Sequence, residues 1–155
     1  MSDTEEIQTV TFALGAEIFA VPVALVREIV DYRAAFRLPN SPDYLLGLTD
    51  LRGEGVATVD FRLRLGLPRV DPTPSTRILV VDVPTAGRAL VLGLVVDQVL
   101  EVSTLRSDQI GAAPDIGIRW PSEYIAGVVR RAEGFVVLVD VARIFSVETT
   151  LLRVA

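Results

Sequence analysis

Apolar residues in this chain come in short runs of β-branched and aromatic side chains, broken by Gly, Pro, Asp and Asn. That is the pattern of strands bounded by turns, not of long amphipathic helices. The runs predict strands over 9–14, 18–23, 27–32, 46–51, 56–59, 77–83, 90–95, 98–105, 125–130 and 135–139. Gly15-Ala16-Glu17 stands between the first two runs as a hairpin turn, and Pro84 to Arg88, with Gly87, does the same later. Helices are expected to be few and short. Ser41-Pro42 and Pro121-Ser122 both read as starts, with Pro at the first helical position. Asp60 before Phe61–Leu65 and Asp140 before Val141–Phe145 read as N-caps of one- or two-turn helices, the first closed by Gly66. Val70–Ser75 is the proline-rich connector.

The pattern also repeats. Tyr44-Leu45-Leu46-Gly47-Leu48 returns as Tyr124-Ile125-Ala126-Gly127-Val128, and Val59-Asp60 returns as Val139-Asp140, both at an offset of 80. Upstream, Val26-Arg27-Glu28-Ile29 returns as Val99-Leu100-Glu101-Val102 at an offset of 73. Two copies of this length do not make a solenoid. They imply two similar β lobes of about five strands each, packed face to face about a pseudo-twofold axis. One domain spanning residues 1–155 is expected, with intertwined lobes and a flexible acidic start at 1–6.

Composition narrows the chemistry. The 155 residues include fifteen arginines and no lysine, histidine or cysteine. Thiolate nucleophiles, disulfides, imidazole bases, Ser-His-Asp triads, Schiff bases and the lysine-bearing phosphate loop are therefore excluded. The net charge is −5 and no basic stripe interleaves with aromatics, so duplex nucleic acid is not an expected partner. The longest apolar stretch, Ala89–Val96, is far below the ~20 residues that span a bilayer, so no membrane insertion is expected. The acidic start is wrong for a secretory signal, and a soluble, cytoplasmic protein is expected. With 50% hydrophobic residues, the excess must go to sheets buried on both faces or to partner surfaces.

A symmetric Asp60/Asp140 pair on two β lobes invites comparison with aspartic proteases, whose two carboxylates share a proton and activate water. The following residues, Phe61 and Val141, are wrong for that loop, and helix capping accounts for both aspartates. Gly53-Glu54-Gly55 lacks the third glycine of a dinucleotide loop, since Thr58 stands there, and reads as a turn. Asp50, Glu54 and Asp60 lack the calcium-loop pattern. A small-molecule-binding β-barrel is the remaining alternative. Glu28 and Arg52 sit at strand ends of one lobe. They either form a bridge that holds two strands in register or a solvent-exposed pair of little energetic weight.

Several segments, in order, resemble the CheW-like coupling proteins of bacterial chemotaxis. They are Phe12-Ala13-Leu14-Gly15, Phe19-Ala20-Val21-Pro22-Val23, Val26-Arg27-Glu28-Ile29, Gly47–Gly53, Val59–Arg62 and Gly93–Val99. The resemblance covers about residues 7 to 147. It implies a mainly β fold of two five-stranded SH3-like barrels, no catalysis and no cofactor. It further implies binding to the regulatory domain of a CheA-type histidine kinase and to the cytoplasmic tip of methyl-accepting chemoreceptors, hence a place at the receptor array. Carried over by position, Val26, Glu28, Gly47 and Arg52 fall on the family's functional surface in the first lobe, with Glu28–Arg52 as its salt bridge. Gly93, Val99 and Val102 take matching positions assigned to the second lobe. Ala57 departs from the pattern, where proline is frequent. An apolar groove between the lobes would take a receptor helix.

Overall fold

The computed structural model describes residues 5–84, 90–111, 124–131 and 134–145. Among these residues eleven strands and two short α-helices, besides 3-10 turns at Val23–Leu25 and Ser107–Gln109, follow in chain order: β1 Glu6–Leu14, β2 Glu17–Pro22, β3 Val26–Asp31, β4 Leu45–Leu51, β5 Glu54–Asp60, α1 Phe61–Arg64, β6 Arg77–Val83, β7 Leu90–Val96, β8 Gln98–Arg106, β9 Ile110–Gly111, β10 Ile125–Arg131, β11 Gly134–Val139 and α2 Val141–Ile144. They form a five-stranded sheet ordered β3-β6-β7-β5-β4 and a six-stranded sheet ordered β8-β1-β2-β11-β10-β9. Every run read as a strand is one. The two-residue β9 had no signal of its own.

The two sheets are built alike. β6–β7 and β1–β2 are antiparallel hairpins, and each presents its second strand, in parallel, to a strand from the Val-Asp repeat: β7 to β5 and β2 to β11. Each outer strand of the upstream repeat, β3 or β8, pairs with the first hairpin strand through one bulge. The second lobe is therefore completed by the N-terminal hairpin, and the repeat is permuted along the chain. The Tyr-x-x-Gly…Val-Asp signature has a physical origin in this closure. The Asp60 N–H donates to the Tyr44 carbonyl at 2.8 Å, and the Asp140 N–H to the Tyr124 carbonyl at 2.8 Å. Both aspartates are the N-caps they were read as: Asp60 accepts from the Leu63 N–H at 3.2 Å and Asp140 from the Arg143 N–H at 3.1 Å.

The expected helix at Ser41–Leu45 is a single turn. The Leu45 N–H donates to the Pro42 carbonyl at 3.1 Å, and Leu45 then pairs with Val59. The local start signal is overridden because the next residues complete a sheet. The start expected at Pro121 and the turn at Pro84–Arg88 lie largely outside the described residues; Ile125 opens β10. Of the acidic start, Glu5 and Glu6 are already tied down. The Glu5 N–H donates to Ser107 Oγ at 2.9 Å, and Glu6 pairs with Arg106.

Alternation divides the side chains among three cores. Leu79, Val81 and Val83 of β6 and Val10, Phe12 and Leu14 of β1 point into the large cluster between the lobes. There Phe19, Phe12, Phe61 and Phe145 follow one another at ring separations of 5.9 to 6.3 Å. The opposite faces fill the barrels: Leu51, Val56, Ile78 and Val80 in the first, Ala20, Leu105, Val129, Val136 and Leu138 in the second. Sheets buried on both faces account for much of the high apolar content.

Two arginines of the α1 segment tie the lobes together. Arg62, with only 12% of its side chain exposed, donates to Asp97 Oδ2 at 2.6 Å, and the same oxygen accepts from the Gly15 N–H at 2.7 Å. Arg64 bridges the two copies of the repeat. Its guanidinium sits 5.3 Å from the Tyr44 ring centroid and 5.1 Å from that of Tyr124, its counterpart in the repeat. It donates to Tyr124 Oη at 3.0 Å and to the carbonyl of Ile144, the residue 80 positions on from itself. One cation is thus shared by two copies of one motif.

Candidate functional site

β3 and β4 are the two edges of the five-stranded sheet, and the chain between them folds across to close the barrel. The Phe36 N–H donates to the Leu48 carbonyl at 2.7 Å, and the Leu48 N–H returns to the Phe36 carbonyl at 2.8 Å. Arg33 reaches the Asp50 carbonyl at 3.1 Å. At the same rim Arg52 Nη2 lies 3.1 Å from Glu28 Oε1, so the ion pair joins the two edges of the barrel. The contact has features of both readings open from spacing: it spans two strand edges, and its guanidinium is largely exposed to solvent.

Arg52 owes its position to the turn it occupies. β4 and β5 are joined by Arg52-Gly53, with φ of +56° and +84°, and the Gly53 N–H is held by Asp50 Oδ1 at 2.9 Å. Two consecutive left-handed residues match the strand twist of a tight hairpin, a geometry that favours Asn-Gly or Gly-Gly. An arginine there carries backbone strain of about 1–2 kcal/mol. Its side chain is 82% exposed, against 28% for Glu28, so the strain presents a guanidinium to solvent at a position fixed by a carboxylate.

Gly47 lies beneath this rim. At φ +133° a Cβ there would lie 1.9 Å from the Phe36 carbonyl oxygen and 2.9 Å from Arg37 Cα. Glycine is required because the closing segment crosses directly over it. Gly127 is crowded as well, but at an ordinary φ and chiefly by a side chain: a Cβ there would lie 2.1 Å from Ile110 Cγ2 and 3.3 Å from the Gly111 carbonyl oxygen of β9. Val26 opens β3, half-buried against the inter-lobe core.

Gly93 does not belong to the second lobe. It is in β7, between Val80 and Thr58 of the first sheet, because the β7–β5 pairing is parallel and places β7 centrally. A Cβ on it would meet Ile78 Cγ2 at 2.9 Å and Thr58 Oγ1 at 3.3 Å. Val99 and Val102 are in β8 of the second lobe, as expected. Val99 is half-buried on the main core, whereas Val102 is 64% exposed on the sheet edge. The structure thus brings Glu28, Arg52 and Gly47 together at one rim and leaves Val99 and Val102 on the other lobe.

Sequence reasoning missed the largest exposed apolar groups. Phe36 is 76% exposed beside half-exposed Leu48, and Phe135 is 58% exposed with Arg130 over its ring at 5.6 Å. An isolated aromatic within Ala34-Ala35-Phe36-Arg37, outside any strand pattern, was the available signal. Asp60, the cap of α1, is buried. Burial raises its pKa above the usual range, against the opposing pull of the Leu63 and Arg62 amides and of the Arg69 and Arg62 charges. Among the described residues no three acidic side chains converge to hold a metal, and no helix is long and apolar enough to cross a membrane.

The chain is 33% identical to the chemotaxis protein CheW of Klebsiella aerogenes over 137 residues, 88% of this chain and 80% of that protein. It is 32% identical to the chemotaxis protein CheW of Rhizobium meliloti over 141 residues, covering 91% and 88%. Its fold matches the crystal structure of the scaffolding protein TtCheW from Thermoanaerobacter tengcongensis with a TM-score of 0.80 at 21% identity, over 91% of this chain and 88% of that one. The CheW-like domain profile matches residues 8–149, which takes in both sheets and the rim formed by Glu28, Gly47 and Arg52; the chain belongs to the CheW-like domain family.

Proposed function

We propose that this chain is a non-catalytic adaptor that couples methyl-accepting chemoreceptors to a CheA-type histidine kinase, acting in the cytoplasm at the receptor array. The observation that carries the reading is the Glu28–Arg52 pair: a guanidinium held in a left-handed turn and pinned by a carboxylate, yet almost wholly open to solvent. A strained residue that adds little to stability when so exposed is explained by what it contacts outside the chain. Relatives of similar length bear the name chemotaxis protein CheW, and a chain of the same fold is described as a scaffolding protein. Both aspartates of the protease comparison are occupied as helix caps.

In this reading Arg52 and Glu28 orient one partner at the rim of the first lobe, with Phe36 and Leu48 as apolar contacts beside them. Val26 and Gly47 support that rim, Gly93 packs beneath it, and Val99 and Val102 serve a second surface on β8. An interface of this kind has an apolar centre with a few charges that fix its register. Arg52→Asp tests it, because Asp tolerates the left-handed turn while reversing the charge. The variant is expected to keep its melting temperature and to drop out of a pull-down with kinase and receptor fragments. Normal ternary assembly would remove Arg52 from the site.

A further inference from the structure

The two barrels are related position by position, yet several positions that are aliphatic in the first are polar in the second. In the register of the sheets, Thr11 pairs with Glu101 and Ala20 as Val80 pairs with Glu28 and Gly93. Ser103 pairs with Thr9 as Val30 pairs with Ile78. Arg131 stands 80 positions after Leu51. In the first lobe these positions are the aliphatic cluster of Leu51, Ile78, Val80 and Val30. In the second they are Arg131, Thr9, Thr11 and Ser103, and a cleft of about 480 Å³ opens, lined by Thr11, Ser103, Glu101 and Arg131 together with Ile18 and Phe135. That volume is in the range of small-molecule sites.

We propose that this cleft binds a free amino acid with an apolar side chain. The polar atoms on its wall are already oriented. Thr11 Oγ1 donates to the Glu101 carbonyl at 3.1 Å, and Ser103 Oγ donates to Glu101 Oε2 at 2.9 Å. Each hydroxyl hydrogen is spent, so both oxygens and the carboxylate face the cleft as acceptors, which suits an ammonium group. Among the described residues Arg131 reaches only the Thr104 carbonyl, at 3.5 Å, the long limit of a hydrogen bond, which leaves its fork to meet a carboxylate. In the first lobe the equivalent glutamate, Glu28, is engaged by Arg52; the residue 80 positions after Arg52 is Ala132, so the second lobe's glutamate lacks that partner. Acid and base therefore line the cleft from β8 and β10, which are not neighbours in the sheet. Ile18, Phe135 and Val136 supply the apolar wall for the side chain.

The test is ligand titration of the isolated full chain, which does not depend on partner assembly. L-Leucine and L-phenylalanine should each raise the melting temperature saturably, by about 4 °C at ten times the dissociation constant. They should also shift the methyl resonances of Ile18 and Val136. N-acetyl-leucine and leucinamide, each lacking one charge, should bind at least about tenfold more weakly. Arg131→Gln, at an exposed position, should lose leucine by a similar factor while keeping its own melting temperature. Thr11→Val with Ser103→Val installs the first lobe's residues and should abolish the response. Absence of a saturable shift up to about 10 mM leucine or phenylalanine overturns the proposal. So does equal binding of the two blocked analogues, or an unchanged response in Arg131→Gln.

Discussion

Replacing Gly47 by alanine separates two kinds of cost that the structure assigns to different glycines. At Gly47 the new Cβ would sit 1.9 Å from the Phe36 carbonyl oxygen and 2.6 Å from its carbon, all backbone that cannot rotate aside. The closing segment must move by more than 1 Å, breaking the reciprocal Phe36–Leu48 hydrogen bonds, each worth about 1 kcal/mol. The φ of +133° adds about 1–2 kcal/mol for any residue with a Cβ. The expected loss is about 3–4 kcal/mol, a large part of the ~5–15 kcal/mol that holds a domain together. Gly53→Ala isolates the backbone part: φ is +84° and nothing lies within 4 Å of the new Cβ, so about 1 kcal/mol is expected. Gly55→Ala, at an ordinary φ with only the Leu48 side chain at 3.8 Å, should be neutral or slightly stabilising. Urea unfolding at pH 7 reads all three, with the Gly47→Ala midpoint falling by about 1.5 M. If Gly47→Ala and Gly53→Ala lose the same stability, the close crossing of Phe36 over β4 is wrong, and with it the account of why the repeat carries glycine.

Arg52→Asn places the preferred residue before Gly53 in the turn and should raise stability by about 0.5–1 kcal/mol while abolishing partner assembly, measured by urea unfolding and pull-down on the same sample. Arg64→Lys cannot reach Tyr124 Oη and the Ile144 carbonyl with one planar group, so it should lose about 2–3 kcal/mol in calorimetry; a loss below 0.5 kcal/mol would deny the guanidinium its role between the two repeat copies. Asp60→Ala should cost about 1 kcal/mol and Asp60→Asn little, because asparagine also caps. Asp60 holds its proton more tightly folded than unfolded, so its contribution to stability falls as pH rises from its unfolded value through its raised folded one. Asp60→Asn should remove that component, flattening the profile just above pH 4 relative to the parent; an unchanged profile would contradict the burial of this carboxyl.

The strand runs were legible because alternation in a two-sided sheet leaves an unbroken signature of Val, Ile and Leu, as in Arg77–Val83. The tyrosine and glycine repeat was legible as text, and its cause is now physical: a carbonyl that closes each barrel and a crossing that leaves no room for a Cβ. Lobe membership was not legible. Gly93 was assigned to the wrong lobe because nothing local encodes the parallel pairing of β7 with β5. The same holds for β2 with β11, which joins Phe19 to Val137. The Ser41-Pro42 start was a sound local signal that lost to sheet closure one turn later. Arg64 gave no sign at all, since its counterpart in the repeat is Ile144 and the two positions share no side-chain chemistry.

The permuted repeat also dictates an order of events during synthesis. β3 to β7 are consecutive in the chain, so the first barrel can close as soon as Val96 has emerged. The β1–β2 hairpin, although it precedes that barrel in the chain, waits for β8, whose Ser103 carbonyl accepts from Thr9 Oγ1 across 94 residues, and then for β11. Pairings this distant close slowly and leave Phe12 and Phe19 uncovered while they wait. Contact separation therefore favours closure of the first barrel before β1 and β2 are enclosed by β8 and β11.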